Sequence, residues 1–189
     1  MPAVLIVAAT RGELCGHDGL ECGVGPVEAA AATARALAAD PRVRAVLHVG
    51  LAGALEVPVG ALVVGAASRY DDIAARWPVV DDAVPEPALV AAALGALPGS
   101  VALPIHTSAA VARPRDTTPG GPLVEAMEGF GVLRAAALAR VAAVEVRVIS
   151  NELGEEDRAR WDVDGALARL GTVLPALLVA LEGATAGSG

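Results

Sequence analysis

Ala3-Val4-Leu5-Ile6-Val7-Ala8-Ala9 is an unbroken apolar run that ends in Thr10-Arg11-Gly12-Glu13. A strand with one wet face alternates apolar and polar residues, so a run without alternation reads as a strand covered on both faces. Such a strand belongs in a sheet with helices on either side, and the following residues supply them. Gly23-Val24-Gly25-Pro26 opens an Ala-rich helix, with Pro26 near its first position, that reaches Ala39 and stops at Asp40-Pro41. Residues 45–49 predict a second buried strand ending in Gly50-Leu51-Ala52-Gly53, and residues 60–67 a third. A helix over 88–97 follows Pro85-Glu86-Pro87, then a short strand over 101–105 and a Pro-, Thr- and Gly-rich loop over 113–122. Residues 129–140 read as helix, 143–149 as strand, and 163–181 as a closing helix with a kink at Pro175 and a frayed tail over 183–189. Alternating strands and helices predict an α/β fold, a three-layer sandwich whose mixed sheet is flanked by helices, in a single domain over 1–189.

Composition narrows the function. The chain is 54% hydrophobic but 2% aromatic, so its core is built from Ala, Val and Leu. A formal charge of −8 without a clustered Arg face argues against a nucleic-acid partner and for a small diffusible ligand. Cys15 and Cys22 make neither a disulfide framework nor a metal motif, and the three histidines form no cluster, so no metal or cofactor is expected. Met1-Pro2-Ala3-Val4 has no positive n-region, and the apolar stretch around 57–67 is too short and Gly-rich to span a bilayer. The expectation is a cytoplasmic protein with no membrane partner.

In α/β folds ligands sit beyond the carboxyl ends of strands, which points to residues 9–13, 50–53, 106–111, 127–129 and 150–158. Glu13 there reads either as a solvated first-turn glutamate or as a general base that orients water. Glu128, between Met127 and Gly129, is a carboxylate among apolar neighbours and needs a partner. An ion pair with Arg134 or Arg147 would serve, as would two vicinal hydroxyls of a ligand. Asn151 ends a strand and reads as a turn or capping residue on its own. His48 is read as a core histidine, and His106 as one that can line the pocket.

Taken together, Leu5–Glu13, Gly23-Val24-Gly25-Pro26, Val49-Gly50-Leu51-Ala52-Gly53, Val59-Gly60 with Tyr70-Asp71, Met127-Glu128 and Val146-Arg147-Val148-Ile149-Ser150-Asn151 resemble the nucleoside phosphorylase and nucleosidase family. Met127-Glu128-Gly129-Phe130-Gly131, Ile149-Ser150-Asn151, Gly154, Asp157-Arg158 and Trp161-Asp162 are most similar to its futalosine hydrolase branch. The resemblance implies a nucleoside phosphorylase-like fold and cleavage of a purine N-glycosidic bond. It makes Glu13 the acid that activates water, Met127 and Glu128 the ribose-binding pair, and Asn151 the counterpart of an aspartate in methylthioadenosine/adenosylhomocysteine nucleosidases. Gly129, Ala52, Gly53, Ile149 and Arg158 are implied as further substrate-binding residues, and a homodimer or higher homo-oligomer as the assembly.

An adenine offers an acceptor at N7 and a donor amine at C6, whereas hypoxanthine offers two acceptors, N7 and O6. An amide at position 151 can serve the second pattern, so the implied base is a 6-oxopurine. The implied products are hypoxanthine and dehypoxanthinylfutalosine, of an alternative menaquinone pathway. The benzoate of futalosine calls for an arginine, with Arg11, Arg69, Arg113, Arg115 and Arg158 all open. Glu13 would repel phosphate, which favours hydrolysis over phosphorolysis. The short Leu14–Cys22 connection departs from the hairpin usual in the family, and scarce aromatics leave purine stacking to aliphatic groups, Phe130 or a neighbouring subunit. Another purine nucleosidase or phosphorylase, or a non-catalytic nucleoside-binding relative, is the alternative.

Overall fold

The computed structural model describes residues 4–110 and 121–186. Its strands are β1 (Val4–Ala8), β2 (Leu20–Glu21), β3 (Ala45–Leu55), β4 (Leu62–Tyr70), β5 (Asp82–Ala83), β6 (Val101–Thr107), β7 (Leu123–Ala126) and β8 (Ala142–Glu152). The helices are α1 (Pro26–Ala39), α2 (Pro87–Ala96), α3 (Gly129–Leu138) and α4 (Val163–Ala186).

All eight strands form one mixed sheet in the order β2-β1-β3-β7-β6-β4-β5, with β8 pairing both β3 and β4. β3 runs parallel to β1 and β8 but antiparallel to β7; β4 runs parallel to β6 but antiparallel to β8 and β5. Because β6 also pairs with β7, the pairings β3-β7-β6-β4-β8 return to β3 and close a ring. The sheet is therefore curled at one end.

The period-2 alternation of β1 divides the core. Val4, Ile6 and Ala8 face a cluster with Leu89, Ala93, Leu170, Leu174, Leu177 and Leu181 from α2 and α4. Val7 faces a second cluster with Ala29 and Leu37 of α1 and Val132, Leu133 and Ala136 of α3. A third cluster, Ala52, Ala54, Val63, Ile105, Val124, Ala126 and Ile149, joins the ring strands. Helices on both faces of the sheet make the predicted three layers.

Several boundaries differ from the sequence reading. β3 does not stop at Val49 but continues through Gly50-Leu51-Ala52-Gly53 to Leu55, β6 reaches Thr107, and β2, β5 and β7 are additional. The connection from Leu14 to Cys22 contains β2, which pairs in parallel with β1. α4 runs through Pro175 and on to Ala186, so residues 183–186 are helical rather than frayed, while 187–189 lie outside the described residues. Most of the loop over 113–122, with Arg113 and Arg115, also lies outside them. Among the described residues α4, not the stretch around 57–67, is the helix long and apolar enough to cross a membrane by length and composition. Here one stripe of it, Ala166, Leu170, Leu174, Leu177 and Leu181, is packed on the sheet.

Candidate active site

The site begins with the pleat of β8. Val144, Val146 and Val148 face the α2–α4 core, so Glu145 and Arg147 between them face the other way. The parallel register sets His48 of β3 beside Glu145, and Gly50 beside Arg147. Arg147 is fully buried, a costly position for a charge without partners. Its Nε donates to Glu145 Oε1 at 2.8 Å, and its Nη2 lies 3.6 Å from Glu128 Oε2. Nη2 also reaches His48 Nε2. The other ring nitrogen, Nδ1, lies 3.0 Å from the Val7 carbonyl, which can only accept. Nδ1 therefore carries the hydrogen, and Nε2 is the acceptor that faces the guanidinium. Burial, followed by the charge of Arg147, holds the His48 pKa well below its ordinary value, in keeping with a neutral ring. Burial alone would weaken the Arg147 charge, but Glu145, Glu128 and Glu13 together outweigh it and raise its pKa.

Glu13 lies above this layer on a one-turn 3-10 helix, Gly12–Leu14, that follows β1. It is not a solvated first-turn glutamate, being only 9% exposed. The amide and hydroxyl of Thr10 donate to its Oε2 at 3.0 and 2.9 Å, and the Leu51 amide donates to its Oε1 at 3.0 Å. A carboxylate has about four lone-pair positions, so these three donors leave room for one more. The approach of this carboxylate and of Arg147 explains Gly50, where any Cβ would collide with both.

Glu128 directly precedes α3 and is 4% exposed. Its Oε1 accepts from the Gly25 amide at 3.1 Å. Gly25 holds φ at +96°, a value side-chain-bearing residues rarely adopt, and this turn is what presents the amide. Burial raises the Glu128 pKa, opposed by Arg147 and the Gly25 amide. The anticipated ion pair is thus with Arg147 among the two arginines considered, yet Glu128 also opens onto the cleft.

Asn151 follows a bulge in which Ser150 is the extra residue, since Ala52 pairs with Ile149 and Gly53 with Asn151. Its Nδ2 donates to the Glu152 carbonyl at 3.0 Å, and its Oδ1 accepts from Ser150 Oγ at 2.7 Å. Because the Glu152 carbonyl can only accept, the amide orientation is fixed, and one N–H of Nδ2 remains.

These groups border a cleft of about 270 Å³ lined by Thr10, Glu13, Val24, Ala52, Gly53, Glu125, Met127, Glu128, Asn151, Leu153, Arg158, Trp161 and Leu167, among others. Seven of the nine anticipated site residues line it: Glu13, Ala52, Gly53, Met127, Glu128, Asn151 and Arg158. Two do not. Ile149 is sealed in the apolar cluster of the ring, and Gly129 is buried where a Cβ would meet the Glu145 carboxylate. His106 is also outside the lining and instead holds Asp71, with Nδ1 at 2.8 Å from its carboxylate. Phe130 stacks on Tyr70 with centroids 5.2 Å apart, so the aromatic ring in the lining is that of Trp161. Burial, with Glu128 next, pushes the Cys22 thiol up to about 12, which removes it as a nucleophile. Sequence reading had no place for Glu145, Glu125 or the His48–Arg147 contact. The signal was present in Glu145-Val146-Arg147, where two charges alternate with apolar residues inside an otherwise buried strand.

Residues 19–181 match the model of the phosphorylase superfamily. The futalosine hydrolase of Streptomyces coelicolor is 42% identical over 88% of this chain and 80% of its own length. Among solved structures, a futalosine hydrolase mutant from Helicobacter pylori superposes with a TM-score of 0.82 at 16% identity, covering 95% of this chain and 99% of that one. A methylthioadenosine/adenosylhomocysteine nucleosidase from Colwellia psychrerythraea, in complex with adenine, gives a TM-score of 0.81 at 20% identity, covering 94% and 95%. The curled mixed sheet is the fold of these nucleosidases, and the sequence identity is to futalosine hydrolase. The chain belongs to the phosphorylase superfamily and, within it, to the futalosine hydrolase family.

Proposed function

We propose that this protein hydrolyses the N-glycosidic bond of futalosine, releasing hypoxanthine and dehypoxanthinylfutalosine in an alternative route to menaquinone. The observation that carries the choice of water over phosphate is the charge of the cleft. Its described lining holds three carboxylates, Glu13, Glu125 and Glu128, and one cation, Arg158. A phosphate dianion would meet mostly like charge there.

In this reading the C1′–N9 bond breaks ahead of full attack, leaving positive charge on the ribose and the electron pair on the purine. Glu128 accepts hydrogen bonds from the ribose hydroxyls and sets negative potential beside the cationic ring, with Met127 against the sugar. The remaining N–H of Asn151 bonds to the departing hypoxanthine, stabilising its charge without transferring a proton. The free lone-pair position of Glu13 accepts from the water that attacks C1′, and Glu13 takes the proton as the new C–O bond forms. The purine gains its proton from solvent.

The same reading assigns the 6-oxopurine to Asn151. A carboxylate there would face the carbonyl of Glu152 and O6 of the base with like polarity. Asn151→Asp is expected to lower kcat/KM for futalosine about 10²-fold or more, and to narrow the gap between futalosine and its 6-amino analogue. Hypoxanthine and adenine release, followed by chromatography on futalosine, aminofutalosine, inosine and methylthioadenosine, tests both the substrate and this residue. Preferential turnover of methylthioadenosine by the unaltered protein would refute the assignment. We also assign the protein to the cytoplasm as a homodimer or larger homo-oligomer. The exposed Val24 at the cleft and the neighbouring exposed Val27 support that assembly, since a second copy would cover them.

A further inference from the structure

We propose that Arg158, carried on the face of Trp161, is the receptor for the aryl carboxylate at the 5′ end of the substrate. The inference rests on the futalosine reading and assigns a subsite within the same cleft. The Arg158 guanidinium carbon lies 5.2 Å from the centroid of the Trp161 ring. That ring is pinned, because its Nε1–H donates to the Glu155 carbonyl at 3.0 Å. Stacking on a fixed aromatic face limits where the guanidinium can go, while leaving its N–H edge free to bind.

The neighbouring acids do not quench Arg158. Glu155 and Asp157 lie 3.3 and 3.8 Å from Arg160 instead, and Asp157 also accepts from the Ala159 amide. Among the described residues the Arg158 side chain makes no ion pair and no hydrogen bond, yet it lines the cleft together with Leu153, Val163 and Leu167. An apolar wall beside an unpaired guanidinium is the chemistry an aryl carboxylate requires, with the ring against aliphatic groups and two oxygens on the planar fork. Charge gives a second reason. The acidic groups that suit hydrolysis would repel an anionic substrate, and Arg158 is the cation the described lining offers against that repulsion. Of the other arginines open at the sequence level, Arg113 and Arg115 lie outside the described residues, Arg11 lies 3.7 Å from Glu21 with an exposed side chain, and neither Arg11 nor Arg69 lines the cleft.

Two measurements test the assignment. The first compares kcat/KM for futalosine and for inosine, which lacks the carboxyphenyl group, in the unaltered protein, Arg158→Met and Arg158→Lys. Arg158→Met is expected to lower the futalosine value about 10–100-fold more than the inosine value, chiefly through KM, with Arg158→Lys in between. The second measures the Kd of futalosine by calorimetry in Glu13→Gln and in Glu13→Gln/Arg158→Met, and expects a similar loss with no turnover involved. Equal losses on both substrates, or an unchanged Kd, would overturn the subsite. If the unaltered protein releases no hypoxanthine from futalosine, the proposed function fails instead, and the calorimetric pair still decides the role of Arg158.

Discussion

Glu13→Gln is expected to lower kcat on futalosine by about a thousandfold, within the range for losing a general base, and to leave the Kd of the substrate within a few-fold. The geometry makes this substitution harsher than the loss of basicity alone. Both oxygens of Glu13 accept from fixed donors, the Leu51 amide on one side and the Thr10 amide and hydroxyl on the other. A glutamine must turn its NH₂ toward one of those donors, so its oxygen holds one side at most. Glu13→Gln therefore loses the proton acceptor and loosens the group that aligns the water. Stopped-flow or single-turnover release of hypoxanthine, paired with calorimetric binding, separates the two quantities. A variant that keeps a third or more of its turnover would remove Glu13 from the water-activating role.

Arg147→Met is expected to cost about 3–5 kcal/mol of stability, the usual penalty for leaving a buried charge without its partner. The methionine matches much of the arginine's length, so the loss is electrostatic rather than a cavity. Three carboxylates depend on this one cation: Glu145 through a 2.8 Å hydrogen bond, Glu128 at 3.6 Å, and Glu13 through longer-range attraction. Burial, the larger of the causes that disfavour a charged His48, stays in place in this variant, so His48 is not expected to replace the lost charge. The urea midpoint of Arg147→Met should fall accordingly, and Arg147→Met/Glu145→Gln should recover part of the loss by removing one of the stranded charges. A change under about 1 kcal/mol, the range of exposed ion pairs, would show that Arg147 is not what compensates these acids.

The layered fold was legible because its elements are signalled locally. The apolar run at 3–9 announces β1, and Gly25-Pro26 announces the start of α1. The curl of the sheet was not legible, because it depends on β8 pairing with both β3 and β4, which no local pattern records. Gly50-Leu51-Ala52-Gly53 read as the end of its strand for a related reason. Glycines usually interrupt strands, but Gly50 stays within β3 because Glu13 and Arg147 occupy the space its side chain would need. β7 is four residues long, too short for its period to show. At the site, Glu13, Glu128 and Asn151 could be singled out as polar groups at strand ends. Their support could not, since Glu145, Arg147 and His48 come together only through the parallel register of β3 with β8. Trp161 was visible as part of a motif, but its contact with Arg158 depends on how the turn before α4 folds.

One assay tests directly whether the acidic cleft uses water as its nucleophile. Purified protein is incubated with futalosine in phosphate-free buffer, and hypoxanthine is quantified by chromatography, with a parallel reaction in phosphate. Complete release of hypoxanthine is expected without phosphate, at the same rate when phosphate is added. Release that requires phosphate, or no release from futalosine in either buffer, would contradict it.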